Sequence, residues 1–243
     1  VVNRPCKKSN PLKKTGTKPD ITILYEDNHL LVVHKPSGVL SQEDHTGKPD
    51  ILTLCKEYIK REYDKPGNVF LGLLHRLDRP VSGVMVLAKT SKAASRISDQ
   101  IRKRKVKKTY LAVVEGNAPK NGYLSHHLLK DTESNVTRAV SKGTPGAKES
   151  TLTFETLEKT GGFSLVKINL ITGRAHQIRV QFAEAGNAVA GDRKYGKNKS
   201  DGNIALHAYE FELEHPTLKK SQCFQCAPEN KAPWLFFKAI QSR

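Results

Sequence analysis

At 243 residues the chain can form one fairly large domain or two small ones around an apolar core that needs no disulfides, and a globular enzyme is within its reach. Lys and Arg number 41 against 24 Asp and Glu, a formal net charge of +17 that suits polyanions and makes nucleic acid the leading partner. Cys6, Cys55, Cys223 and Cys226 are too few and scattered for a secreted disulfide scaffold, and Cys223-x-x-Cys226 offers only half of a zinc-ligand spacing, so reduced thiols and no metal are expected.

No apolar run approaches the ~20 residues that span a bilayer, and no hydrophobic leader opens the chain. A soluble, cytoplasmic protein without a membrane partner is expected. The first residue is Val, so a trimmed N-terminus keeps an organellar address open.

Residues 1–20 carry Arg4, Lys7, Lys8, Lys13, Lys14 and Lys18 without periodicity, which reads as a basic, disordered tail ahead of one domain over 21–243. Apolar runs at 21–25 and 30–34 flank a polar turn and predict a β-hairpin. Asp50 is placed to cap a helix in which Ile51, Leu54, Cys55, Tyr58 and Glu62 recur at three- and four-residue steps, mostly apolar on that side. Residues 84–88 form a short continuous apolar run suited to a buried strand. Ser91 then predicts the start of a helix carrying Ala94, Ile97 and Ile101, which leads into the basic run Arg102-Lys103-Arg104-Lys105-Val106-Lys107-Lys108.

A strand follows at 109–114, then polar hairpins and loops at a sheet edge over 119–146, and strands at 150–157 and 164–171. A helix over 175–185 closed by Gly186, a strand at 205–213 and a core-packed aromatic segment at 234–237 complete the chain. Clustered strands with few, unevenly spaced helices favour an α+β fold over a regular βαβ winding.

Two places concentrate chemistry. Asp78 follows His75 and Arg76 and precedes Arg79-Pro80, on a loop that the proline stiffens. Cationic surroundings favour a charged carboxylate, fit for a nucleophile or an electrostatic stabiliser, although the residues alone favour a surface salt bridge. In Thr172-Gly173-Arg174-Ala175-His176-Gln177-Ile178-Arg179, a helix starting after Gly173 would put His176 and Arg179 on one face at a positively polarised N-terminus. An ordinary amphipathic helix would look the same. Tyr110, beside the basic run, could stack on a base or pack in the core.

Taken together, these segments resemble the RluA-type family of RNA pseudouridine synthases from about Ile21 to Phe237, in the family's order. The resemblance is carried by Val32-Val33-His34-Lys35-Pro36-Ser37-Gly38, then His75-Arg76-Leu77-Asp78 with Ser82-Gly83, then Lys107-Lys108-Thr109-Tyr110-Leu111-Ala112. Thr172-Gly173-Arg174 with His176-Gln177-Ile178-Arg179 and Gly191-Asp192 with Tyr195-Gly196 follow. It implies a mixed, largely antiparallel curved sheet flanked by helices with a central active-site cleft, and isomerisation of uridine in ribosomal or transfer RNA by a monomer without metal or redox cofactor.

It also implies roles: Asp78 as nucleophile, Arg179 as the ion-pair partner that aims it, and Tyr110 stacked on a flipped base whose gap Arg76 fills. His75, Arg174, His176, Lys103, Arg104 and Lys107 would join Arg76 in holding RNA. The chain departs from the family pattern at Val81, where Thr is usual, and at Gln181, where His is usual. Neither is the nucleophile.

Overall fold

The structure, a computed structural model, describes residues 21–196 and 203–241, so the basic stretch 1–20 and Cys6 lie outside the described residues. In chain order the elements are β1 (Thr22–Glu26), β2 (Leu30–Lys35), α1 (Ile51–Glu62), β3 (Gly72–Leu73), β4 (Ser82–Ala88), α2 (Ser91–Arg102) and β5 (Lys107–Glu115). They continue with β6 (Asn121–Asp131), β7 (Val136–Val140), β8 (Lys148–Thr160), β9 (Phe163–Leu170), α3 (Gln177–Glu184), β10 (Leu206–Glu214), β11 (Ser221–Gln225) and α4 (Lys238–Gln241). Largely antiparallel strands with few helices make the fold α+β. The described backbone divides into two compact units, one reaching to Lys107 and taking in Ala208–Cys226, the other running from Lys108 to His207 and resuming at Ala227.

In the first unit β2 decides the layering. Its side chains alternate between faces. Leu31 and Val33 join Ile51, Cys55 and Ile59 of α1 and Met85 and Leu87 of β4. Leu30 and Val32 join Val84, Val86, Ile97 of α2, Phe211, Leu213 and Phe224 on the other face. A strand buried on both faces has no polar side, which is why 30–33 is an unbroken apolar run, and each such side chain contributes about 1.5–3 kcal/mol.

Local chemistry sets the ends. Asp27 Oδ1 accepts from the N–H groups of His29 and Leu30, both at 2.7 Å, and so ties the β1–β2 turn. Asp50 caps α1 by accepting from Thr53 N at 3.0 Å. On α2 the cap is Thr90, accepting from Ala93 N at 3.2 Å, one residue before the predicted Ser91, which is already helical.

The second unit is an antiparallel sheet in the order β5-β9-β8-β6-β7, with the predicted edge over 119–146 supplied by β6 and β7. Phe182 of α3 packs on Phe154 of β8 with ring centroids 5.1 Å apart. The aromatic segment is half core. Trp234 and Phe237 are buried while Leu235 and Phe236 are exposed, because a 3-10 turn over Trp234–Phe236 repeats every three residues and turns those two outward.

At Gly83, the glycine of β4, φ is +128°, and an added Cβ would lie 2.3 Å from the Ala208 carbonyl oxygen. Gly83→Ala should therefore cost roughly 3 kcal/mol or more through strain and steric conflict. Urea unfolding measures it; a change below about 0.5 kcal/mol, the range of a neutral surface substitution, would contradict this close approach.

Candidate active site

The loop from His75 to Val81, between β3 and β4, is pinned peptide by peptide. Ser41 Oγ accepts from Leu77 N at 3.0 Å and donates to Leu77 O at 2.7 Å. Asp78 O accepts from Val81 N at 3.0 Å, Arg79 O accepts from Gly38 N at 2.9 Å, and Pro80 O accepts from Ser37 Oγ at 2.7 Å. Arg79 Nε returns a bond to Gly38 O at 3.0 Å. Every carbonyl from Leu77 to Pro80 is thus engaged, and the half-buried Asp78 projects from a backbone with little freedom.

Lys35 lies beneath this arrangement with 0% exposure. Its Nζ donates to Val39 O at 2.7 Å, Pro36 O at 3.0 Å and Arg79 O at 3.2 Å, three acceptors for the three protons of an ammonium. Burial pushes this ammonium down to about 7, and the negative charge of Asp78 opposes that shift. Lys35-Pro36-Ser37-Gly38, read in the sequence as a strand and turn, is therefore the cradle of the Asp78 loop.

His75 is held internally. Val86 N–H donates to its Nε2 at 3.0 Å, and its ring stacks on Phe211 with centroids 4.6 Å apart. This engages one ring nitrogen and one face of a residue expected to meet RNA. Arg76 is exposed.

The basic run is less cationic than it reads. Arg102 and Lys103 both pair with Asp99, Lys103 at 2.8 Å, and together they hold that carboxyl below its usual range. Lys107 reaches Glu210 at 3.4 Å and Glu212 at 3.8 Å. Burial lowers the pKa of Lys108. Arg104 and Lys105 remain exposed, with no carboxylate partner among the described residues.

In the second unit, Tyr110 on β5 is buried. Helix α3 starts at Gln177, not 175, because His176 takes a left-handed conformation at φ 54° and becomes the N-cap residue. His176 and Arg179 consequently do not share an exposed helical face: every residue from Gln177 to Phe182 is buried. Arg179 Nε and Nη2 each donate to Asp192 at 2.7 Å, and the guanidinium lies 5.1 Å from the Tyr195 ring centre. His176 Nδ1 is 2.6 Å from Tyr195 Oη.

Gln177 and Gln181 tie this helix down. Gln177 Oε1 accepts from Thr172 Oγ1 at 2.8 Å and from Arg174 N at 3.0 Å, while Gln181 Nε2 donates to Ser150 O at 3.0 Å and Leu124 O at 3.2 Å. The departure at Gln181 thus serves the packing of α3. Arg174 is exposed, with Nε 3.3 Å from Glu149 O.

Sequence reasoning gave Lys35, Asp192 and Tyr195 no role. Helical spacing gives no sign that Arg179 is buried, so the need of a desolvated guanidinium for the Asp192 carboxylate shows only in the fold. Burial pushes the thiol of Cys226 up to about 12. Among the described residues no group of three or more His, Cys, Asp or Glu is placed to hold a metal, and no described helix is long and apolar enough to cross a membrane.

The family model described as RNA pseudouridylate synthase matches residues 29–184. Ribosomal large subunit pseudouridine synthase C of Buchnera aphidicola subsp. Schizaphis graminum (strain Sg) is 36% identical over 227 residues, covering 88% of this chain and 70% of the relative. An uncharacterised RNA pseudouridine synthase of Bacillus subtilis (strain 168) is 34% identical over 81% of this chain and 65% of its own length. The chain thus spans roughly two thirds of the length of such relatives, with coverages of 70%, 63% and 65%. Human RNA Pseudouridylate Synthase Domain Containing 1 has a similar fold, with a TM-score of 0.70 at 24% identity over 92% of this chain and 89% of that one.

An unfolded lysine titrates near pH ~10.4 and folded Lys35 at about 7. Between those values the unfolded chain holds the extra proton, so this group's contribution to stability is lowest below about 7 and rises with pH above it. Comparing wild type with Lys35→Met by urea unfolding, the difference should shift in favour of the wild type as pH rises through that window. A pH-independent difference would mean that the folded ammonium keeps its proton throughout.

Proposed function

The chain belongs to the RNA pseudouridylate synthase family, and from that premise we propose that it isomerises uridines of structured RNA to pseudouridine with Asp78 as the nucleophile. The observation that supports Asp78 is its setting: a half-buried carboxylate on a loop whose carbonyls from Leu77 to Pro80 are all bonded. A reacting group held this way loses little orientational freedom at the moment of reaction.

The reaction breaks the bond from uracil N1 to ribose C1′ and forms one from C5 to the same carbon. The C5 proton is lost to solvent and N1 is protonated, so the product is an isomer and no external oxidant is consumed. The Asp78 carboxylate adds either to the base or at the sugar and later leaves, which frees the base to rotate. Tyr110 stacks on the base and takes part in proton transfer, Arg179 aims the carboxylate, and Arg76 fills the space of the flipped nucleotide.

Ribosomal RNA is the first substrate to consider, since relatives are named for the large ribosomal subunit; transfer RNA is the second. The protein acts as a monomer in the cytoplasm. Phosphates are held by exposed cations such as Arg104 and Arg174, with Lys103 and Lys107 contributing what their carboxylate partners leave.

On RNA carrying tritium at uridine C5, the wild-type protein should release label. Asp78→Ala should bring release below detection while RNA affinity stays within about threefold, as expected of a residue used in the chemical step. Label release by the variant at the wild-type rate would remove Asp78 from the mechanism.

Reversing charge at Lys103 and Arg104 together should weaken RNA binding and reduce the slope of log affinity against log salt by about one unit per lost phosphate contact. Filter binding across a salt series reads both. An unchanged slope would assign these cations to a solvated face.

A further inference from the structure

Arg179 carries out its proposed role from an interior position, 6% exposed. A buried guanidinium needs a counter-charge and a fixed hydrogen-bond geometry. Asp192, 2% exposed, supplies both through two parallel bonds, Nε to Oδ2 and Nη2 to Oδ1, each 2.7 Å. This fork-to-fork arrangement fixes the guanidinium in its own plane. Asp192 is itself held, because Oδ1 also accepts from Lys194 N at 3.0 Å and Tyr195 N at 3.2 Å.

The same turn sets an aromatic ring against the guanidinium. The Tyr195 ring centre lies 5.1 Å from Arg179 Cζ, within cation–π range. The ring is anchored through its hydroxyl, which accepts from Thr137 N at 2.9 Å and lies 2.6 Å from His176 Nδ1. Gly191 makes the approach possible: its φ is +76°, and an added Cβ would meet Asn203 O at 2.5 Å.

We infer that Asp192 and Tyr195 are positioning residues of the synthase, one fixing the edge and the other the face of the Arg179 guanidinium, so that its remaining N–H groups keep one direction during the reaction. The inference rests on the proposed activity, in which Arg179 must be aimed. It places the effect in turnover and not in RNA affinity. A merely structural ion pair would give the reverse pattern, lower stability with turnover intact.

Asp192→Asn, folded as judged by circular dichroism, should lower kcat for tritium release on the order of 100-fold with RNA affinity within about threefold, the scale of a misplaced reacting group. Tyr195→Leu should lower kcat by about tenfold through loss of the cation–π contact. Arg179→Lys combined with Asp192→Asn should be no slower than the slower single variant, because the two act as one unit. Full additivity, or an Asp192→Asn enzyme with kcat within about threefold of wild type, overturns the inference.

Should Asp192→Asn not fold, Asp192→Glu decides: it keeps the charge and shifts the carboxylate by one methylene, and unchanged kcat in it overturns the inference. A readout independent of activity separates this test from that of the function. The Arg179 Nε–H resonance, identified by its loss in Arg179→Lys, should be protected from exchange in the wild type and lose that protection in Asp192→Asn. If the wild type releases no label from any RNA, the proposed activity fails. Unaltered protection in Asp192→Asn overturns the positioning role on its own.

Discussion

Lys35 brings three backbone carbonyls together around one buried ammonium, and the Asp78 loop takes its shape from that meeting. Two of these carbonyls, of Pro36 and Val39, belong to the segment after β2, and the third, of Arg79, belongs to the candidate catalytic loop. Without the Lys35 side chain, the Pro36 and Val39 oxygens would lose this donor while Arg79 O would keep that of Gly38 N, and an acceptor left unpaired away from water costs more than its bond contributes. The charge also matters. Asp78 lies near enough to raise the tendency of Lys35 to hold its proton, so loop geometry and loop electrostatics come from one side chain.

The second unit solves the corresponding problem with a different cation. Arg179 is fixed to Asp192 in two parallel bonds and covered by Tyr195. Both units therefore use a buried, hydrogen-bonded cation to stiffen the place where a functional residue stands. The two cations differ as their chemistry would suggest. An ammonium radiates three bonds and suits a cluster of carbonyls, while a planar guanidinium matches a carboxylate edge and an aromatic face.

The surface charge has a finer structure than its sum. A formal charge of +17 gives a long-range attraction for a polyanion, yet Asp99, Glu210 and Glu212 partly neutralise the most basic stretch of the folded chain. Exposed ion pairs of this kind contribute little stability. Their consequence is to thin the cationic patch around Arg104 and Lys105 to those side chains that lack a carboxylate neighbour among the described residues.

The sequence by itself determined the elements that local rules control. Asx and helix-cap chemistry at Asp27 and Asp50, the two-sided apolar run of β2 and the turn at Gly186 depend on residues near in the chain, and they form where the pattern placed them. The ordered motifs likewise carried the family and marked Asp78. Only the tertiary structure decided which polar side chains serve the fold. His176 ends a helix that periodicity extended through it, Arg179 turns inward where amphipathic spacing sent it outward, and His75 accepts from Val86 N. A 3.6-residue pattern registers apolar side chains alone, and Asp192 is 13 residues from Arg179. The cost of burying a cation is repaid by partners remote in sequence, and only folding brings them within reach.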